Sequence, residues 1–564
     1  MSNSDRTRSR FILAVPLLTV AVTVATAQTS ATKPVPQPSP VHPASFPLVV
    51  KVGQTLTLQG DIILAGDAVL DIQGTADQPC VIIGNGYQVK TKQEWTGRLR
   101  AAYCTFRQLG RPQAVIRIPN PGNWSGFKIE DPDVPAFDVT TGGKGEIAFD
   151  HCTFDDSSFL TFSTGGESTL SFRNNTILEN GRFPVSEQPA TSRAAFTLSG
   201  SSPAKKYFQG NRIYKGECRF SSPNVLVGGD RDEDSNLLIG IRAKIQAAGG
   251  GTVIRGNYVH VLLLGRDVAP HFEYWSQVST FEPGAGTLSE HNIIRDGEWI
   301  VRFVEGEFRY NLICDINDHD LCQNGSIGKI HHNVFFGSQP KHAQGSMGGC
   351  ISIVYKPKTP DGGLEVYNNT LDGCGWLAVP GVEVCKEGFV KTLRNNVFFN
   401  FALQEKYGKG PSAVIRPGFF EELPPSQPAR LGYADYNLFY SPLSKSKESY
   451  ALTVAGKSER KDAGFALNDV RKGGPVGEQV DPQFTGPQAS DFPFQDEDIK
   501  SGRATVSRML AHFRKLYTPA EGSPLIDAAD PADGEGADIG AVGAGKPDPQ
   551  DQFGRWGAAT QPSQ

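Results

Sequence analysis

The sequence predicts an all-β solenoid, a stack of coils built from short strands. Two observations carry that expectation: a small pattern returns about every twenty residues, and the apolar bursts along the chain are three or four residues long. The pattern is plainest between Glu290 and Gly337. There His291-Asn292-Ile293-Ile294 is followed by Tyr310-Asn311-Leu312-Ile313 and then His332-Asn333-Val334-Phe335, at spacings of 19 and 22 residues. Such a spacing is the period of a coil and not of a domain.

Aligned on its centre, the pattern has an apolar residue three before, Asn or Cys in the middle and an apolar residue two after. Eleven centres are counted, Cys104, Cys152, Asn175, Asn211, Asn257, Asn292, Asn311, Asn333, Asn369, Asn396 and Asn437, with position −3 apolar in ten of them and Ser289 the exception. The residue at +2 is apolar in all eleven, although apolar residues are only 38% of the chain. If coils stack about 4.8 Å apart, like positions form columns. The −3 and +2 residues then line the interior, and each central Asn sits at a bend. Its amide can donate to and accept from the Asn above and below, satisfying polar groups that the bend would bury. Cys104 and Cys152 fit the same column as small buried residues. Cys104 to Asn437 spans 333 residues, which at about 22 per coil predicts about 15 coils. The longer intervals therefore hold missed coils or loops, the loop candidates being residues 183–193, 230–236, 268–286, 340–349 and 407–430.

Taken in order, residues 1–27 read as a secretory signal: Arg6, Arg8 and Arg10, an apolar run from Phe11 to Val24, and Ala25-Thr26-Ala27 before Gln28. The run is broken by Pro16 and falls short of the roughly 20 residues that a spanning helix needs. The expected mature protein is exported, secreted or at the cell surface, without a membrane span. Residues 28–47 form a linker with six prolines between Lys33 and Pro47. The solenoid is expected over 48–445, starting with bursts such as Asp61-Ile62-Ile63-Leu64. Residues 446–545 are an extension and capping region. Within it Val506, Met509, Leu510, Phe513 and Leu516 recur at helical spacing, which predicts one amphipathic helix over about 501–517 to close the open end of the core. Residues 546–564 read as a polar tail.

Composition narrows the function classes. The formal net charge is −5, with 55 basic and 60 acidic residues and no basic block, which excludes nucleic acid as the natural partner. Nine cysteines, an odd number, leave at least one thiol unpaired in a monomer, the expected state. No Cys-x-x-Cys occurs, so a zinc ribbon or a thioredoxin-like motif is not expected.

The template, the export signal and the phrases Asp481-Pro482-Gln483-Phe484, Gly522-Ser523-Pro524-Leu525-Ile526-Asp527-Ala528 and Asp538-Ile539-Gly540 together resemble secreted right-handed parallel β-helix proteins of the pectate-lyase-like superfamily. The resemblance covers roughly residues 49–545. It implies a single-stranded right-handed parallel β-helix with a C-terminal helical cap, and extracellular polysaccharide as partner. It implies no site residues, because the polygalacturonase-type Gly-Asp-Asp, His-Gly and Arg-Ile-Lys set is absent, as is the Arg-x-Pro-x-x-Arg of pectate lyases.

Candidate chemistry concentrates between Arg295 and His332. Asp296 and Asp315 both lie four residues after a centre. On adjacent coils they would stack about 5 Å apart, where two carboxylates share a proton or bind a cation such as Ca²⁺. Asp315, Asp318, His319, Asp320, Arg302 and Arg309 contain what β-elimination from a uronic acid requires: a cation for the carboxylate, a base and a proton donor. The same residues hold the paired carboxyls of a glycoside hydrolase. At His331-His332, strand alternation is expected to turn one ring inward and the other out. Two readings stay open: a polysaccharide lyase, ahead of a hydrolase, and a non-catalytic carbohydrate-binding or surface solenoid.

Overall fold

The computed structural model describes residues 46–111, 114–117, 127–131, 134–178, 194–214, 216–240, 243–262, 279–296, 299–302, 305–314, 322–324, 328–336, 351–353, 362–372, 382–384, 390–399, 413–417, 431–440, 450–452, 481–486 and 492–544. Nearly all of the regular structure is strand, two to five residues at a time. The strands assemble into three parallel sheets of 14 strands each. Sheet 1 runs from Leu48–Val50 to Leu431–Asp435, sheet 2 from Thr55–Thr57 to Leu438–Tyr440, and sheet 3 from Ile62–Leu64 to Tyr450–Leu452. The chain visits sheets 1, 2 and 3 in turn and starts again, so each circuit is one coil hydrogen-bonded to the next. Apart from an antiparallel hairpin, Ala114–Arg117 with Phe127–Asp131, every strand pairs in parallel. The right-handed crossover that twisted strands favour gives the coil its hand.

The bend between sheets 1 and 2 explains the sequence template. Ten asparagines form one buried ladder there: Asn175, Asn211, Asn236, Asn257, Asn292, Asn311, Asn333, Asn369, Asn396 and Asn437. Within it, Asn292 N–H and Nδ2 both donate to Asn311 Oδ1 at 3.0 Å, and Asn292 Nδ2 also donates to Ile254 O at 2.9 Å. Cys152 heads the ladder, its N–H donating to Asn175 Oδ1 at 2.8 Å. Cys80 and Cys104 continue the column in register. Burial raises the Cys152 thiol to about 12. Cys80, Cys104, Cys152, Cys218 and Cys314 are all free and buried.

The ladder corrects the coil count. Sheet 2 has 12 strands from Cys104–Arg107 to Leu438–Tyr440, not about 15, because most long intervals carry lengthened connections. The overlooked centre is Asn236, inside a segment read as a loop. A short 3-10 turn, Asp232–Asp234, puts Glu233 where the template wants an apolar residue.

The residue before the ladder position adopts a left-handed backbone except at Ser235, before Asn236, which is extended at φ −65°. This holds for His151 (φ 53°), Asn174 (55°), His291 (57°), Tyr310 (54°), His332 (55°), Asn368 (51°), Asn395 (55°) and Tyr436 (54°), with Gly210 and Gly256 doing the same. One left-handed residue turns the chain from sheet 1 to sheet 2 in the smallest space, at a cost of about 1–2 kcal/mol for a residue with a Cβ. The ladder bonds offset that cost.

Inside, the −3 and +2 residues pack as expected. Phe106, Phe154, Phe172 and Phe208 form one stack with successive centroids 5.1, 5.7 and 5.4 Å apart, each ring contributing about 1.5–3 kcal/mol by leaving water. Lys206 is also fully buried. Its ammonium donates to three backbone carbonyls: Ser202 (2.5 Å), Ala204 (2.8 Å) and Pro223 (2.9 Å).

The C-terminal region supplies two helices, α1 (Asp496–Lys500) and α2 (Val506–Leu516). The sequence anticipates α2 as one longer helix. Thr505 caps α2 by accepting from Arg508 N–H, and its buried face is Val506, Met509, Leu510, Phe513 and Leu516. These residues cap the solenoid along its side: with Phe492 and Tyr517 they pack on Tyr258, Ile293, Leu312, Cys314, Val334 and Phe336, the outer positions of sheet 2. Leu525, Ala529 and Ile539 extend the cover over Val397, Phe399 and Leu438. Among the described residues no helix is long and apolar enough to cross a membrane.

Candidate functional site

The three bends of each coil differ in length. From Val253–Arg255 onward, the connection from sheet 1 to sheet 2 is always two residues. The connections from sheet 2 to sheet 3 include residues 262–278, 315–321, 337–350, 373–381 and 400–412. Those from sheet 3 back to sheet 1 include 354–363 and 418–430. Long connections thus begin or end at the edges of sheet 3. Sheet 2 is covered from its middle coils onward by the C-terminal region, and sheet 3 is the face where added chain and polar positions coincide.

Along sheet 3 the register builds one row. Asp138, Thr161, Thr197, Arg219, Gln246 and Glu282 follow one another coil by coil. The pairing of Phe281 with Val301 puts Arg302 next, and Gln323, Ser352, Glu383 and Arg416 continue it. Every position on the row is polar or charged, which is what a surface recognising hydroxyls and carboxylates needs.

The middle of the row is a shielded ionic network. Arg219 Nη2 donates to Glu217 Oε2 at 2.8 Å, Lys244 Nζ lies 3.4 Å from Glu217 Oε1 and 3.0 Å from Glu282 Oε1, and Gln246 Nε2 donates to Glu282 Oε2 at 2.7 Å. Glu282 is 7% exposed. For Glu217, burial acts to raise the pKa, but the bonds from Arg219 and Lys244 outweigh it and hold the carboxyl below its ordinary range. Fixed and mutually neutralised, these charges form a rigid floor.

Beside it, on the sheet 2 strand Tyr258–Val261, His260 is clamped between two carboxylates. Its Nε2 lies 2.7 Å from Asp296 Oδ2, and its Nδ1 lies 2.9 and 3.1 Å from the two oxygens of Asp496 on α1. Both ring nitrogens must carry protons for both contacts to be hydrogen bonds, so the ring is an imidazolium. Burial opposes that charge; the two carboxylates outweigh it, and the pKa rises above the ordinary histidine value. Tyr258 OH donates to Asp496 at 3.1 Å and accepts from Arg295 Nη1 at 2.9 Å. Arg295 lies over the Phe492 ring, 3.9 Å from its centroid. This network ties the C-terminal cover to the bend that carries Asp296.

The residues singled out from sequence separate accordingly. Arg302 is on the sheet 3 row. Asp296 is at the bend beside it, after Arg295, which pairs in register with Cys314 on the next coil. Asp315, Asp318, His319 and Asp320 lie outside the described residues, within the connection from Cys314 to Cys322. Arg309 is on sheet 1, where its Nε donates to Glu290 at 2.7 Å and its Nη1 to Glu307 at 2.8 Å. Among the described residues no three His, Cys, Asp or Glu side chains form a metal cluster. Lys244, Glu217, Glu282, His260 and Asp496 escaped the sequence reading. Aligning the short sheet 3 strands would have brought the first three together; nothing local announces the contact of His260 with Asp496, 236 residues away.

No family model matches the chain, and no curated protein matches it. Among solved structures, the chain is similar to a GH136 lacto-N-biosidase from Eubacterium ramulus (12% identity, 57% of this chain and 63% of that one, TM-score 0.29). The chain therefore spans less than two thirds of that enzyme. It is also similar to an alginate lyase in complex with G6 (11% identity, 72% of this chain and 87% of that one, TM-score 0.26) and to a PL6 alginate lyase in complex with a trisaccharide (10% identity, 72% and 88%, TM-score 0.25). Identities and TM-scores this low carry no residue correspondence. The coil architecture itself, three parallel sheets wound by one strand per sheet per turn with a buried asparagine ladder at the tight bend, makes the chain a parallel β-helix solenoid.

Proposed function

We propose that the chain is an exported, carbohydrate-active β-helix that cleaves an acidic polysaccharide by β-elimination, with the polar row of sheet 3 as the floor of its sugar site. The observation that carries the reading is the coincidence of that row with the edges where the long connections start and end. Elimination needs a cation to neutralise the uronate carboxylate, a base at the α-carbon proton and a donor to the leaving oxygen. Arg302, between Glu282 and Gln323 on the row, is the proposed cation. The connection holding Asp315, Asp318, His319 and Asp320 is the proposed source of base and acid, and Ca²⁺ at Asp296 and Asp315 belongs to the same reading. Lyase is preferred to hydrolase because Glu282, the described carboxylate on this stretch of the row, is already held by Lys244 and Gln246 and is ill suited to giving up or taking a proton.

The test is to incubate the mature protein, with and without Ca²⁺, with a panel of uronic-acid polysaccharides and follow the ultraviolet absorbance of the unsaturated product. Neutral glycans with a reducing-end assay run in parallel. Arg302→Ala is expected to lower turnover by about 10²–10³-fold, the range for one charge-stabilising group. Glycan binding without turnover in either arm would replace the enzyme with a carbohydrate-binding solenoid.

A further inference from the structure

A second constellation lies on the other side of the coil, at the bend from sheet 1 to sheet 2, and does not depend on the sugar-site reading. Adjacent residues in an extended strand point to opposite faces, so His331 and His332 should diverge. They do not. His332 is the left-handed residue of its bend (φ 55°), which swings its ring back until the two Nδ1 atoms are 2.8 Å apart, with the ring planes at 78°.

Both rings are held. His331 is 4% exposed, stacks on Tyr367 at 4.6 Å and 7°, and meets Tyr310 edge-on at 6.1 Å. His332, half-buried, lies 5.0 Å from the Tyr310 ring. The far nitrogen of His331, Nε2, is 3.1 Å from Glu307 Oε1. That bond fixes the tautomer: Nε2–H donates to the carboxylate, and the Nδ1 lone pair of His331 faces His332. Glu307 is itself anchored by Arg309, 2.8 Å away.

Two nitrogens bound cis at about 2.0 Å to one ion, 90° apart, are separated by about 2.8 Å. The spacing of the His331 and His332 Nδ1 atoms matches that bite. A carboxylate on the other nitrogen of a ligating histidine is the usual outer partner that orients the ring and raises its basicity. We propose that His331 and His332 form a cis-chelating site for a divalent transition-metal ion of the Cu²⁺ or Ni²⁺ class, with Glu307 as the outer-sphere carboxylate and water completing the coordination. In the metal-free pair a proton on His332 Nδ1 bridges the two nitrogens. When the ion binds, that proton moves to Nε2 of the same ring, so the ion is exchanged for no net proton.

The experiment uses the full chain without a polyhistidine tag. Titration with Cu²⁺, followed by calorimetry and by electron paramagnetic resonance, is expected to show one saturable ion per chain with two-nitrogen hyperfine structure. His332→Ala should weaken binding at least about tenfold and remove that structure. Glu307→Gln should weaken it by about 10–100-fold, as second-shell changes do. Absence of stoichiometric binding overturns the proposal, as does unchanged binding in a His332→Ala protein whose thermal unfolding matches the parent, since the ion would then sit on other histidines. Should His332→Ala fail to fold, Glu307→Gln decides alone: parent-like affinity refutes the site.

Discussion

Asn174 and Asn175 are the same amino acid on the same bend, and the structure assigns them opposite weights. Asn175 is fully buried. Its Oδ1 accepts from Cys152 N–H at 2.8 Å, and its Nδ2 donates to Phe149 O at 3.2 Å and Asn211 Oδ1 at 3.3 Å. Asn175→Ala leaves the Cys152 amide as a buried donor without its acceptor, at about 1–3 kcal/mol, and removes two further bonds worth about 1 kcal/mol each. The expected cost is about 4 kcal/mol. Asn174 is exposed and left-handed at φ 55°, with one bond to Asp150 at 3.1 Å. Asn174→Gly removes that exposed bond and also relieves the backbone, so its net effect should stay within about 1 kcal/mol.

Solenoids do not unfold as one unit, since each coil contacts only its neighbours, so the assay must be local. Amide hydrogen exchange of the peptide containing Cys152 reports the opening of this bend. A cost of about 4 kcal/mol corresponds to about a thousandfold loss of protection at 1.4 kcal/mol per decade. Asn174→Gly should change protection by less than about fivefold. Equal effects of the two substitutions, or a loss below about tenfold in Asn175→Ala, would refute the view that the ladder holds the bend.

Lys206→Met should destabilise the fold by about 3–5 kcal/mol despite its apolar fit, because three buried carbonyls lose their shared donor; chemical denaturation of the pure variant measures it. The Glu217 carboxyl, held low by Arg219 and Lys244, contributes stability that is complete above its unfolded pKa near 4.5 and is lost as pH falls through the lower folded value. Glu217→Gln should therefore flatten the acid limb of the unfolding curve below about pH 4.5. Phe513→Ala removes a ring packed on Phe336 and Phe492 and should cost about 3–5 kcal/mol, read as faster exchange in α2 while the ladder amides keep their protection.

The ladder was legible because its two demands, Asn at a tight bend and an apolar residue on either side, are both local. Asn236 slipped away where the local rule fails, at Glu233. The covered face was also written in the chain, though in a less familiar form. Thr105-Phe106-Arg107 and Thr153-Phe154-Asp155 alternate as half-buried strands do, whereas Leu312-Ile313-Cys314, Val334-Phe335-Phe336 and Val397-Phe398-Phe399 are apolar throughout. Continuous apolar strands are buried on both faces, so sheet 2 announces a partner from the middle coils onward. What the sequence could not say is which segment that partner is, since α1 and α2 return to the coils across some 200 residues. The His331-His332 pair was hidden for a different reason: the left-handed turn at position −1 is imposed by the ladder, and neither Tyr nor His signals it.

The same ladder decides where a site can form. Each Asn at the sheet 1 to sheet 2 bend bonds to the coil above and the coil below, so residues added at this bend must return the Asn to its place in the column. The long connection after Val225–Gly228 meets that demand with a different backbone: Ser235 is extended (φ −65°) where other coils are left-handed, and Asn236 still accepts from Asn211 and donates to Asn257. The bends on either side of sheet 3 carry no such ladder among the described residues, and lengthening them costs only loop closure, which grows slowly with length. Extra chain therefore collects at the edges of sheet 3, beside the row that runs from Arg219 through Glu282 and Arg302 to Arg416. The rigidity of one bend thereby locates the variable, chemically rich face of the coil.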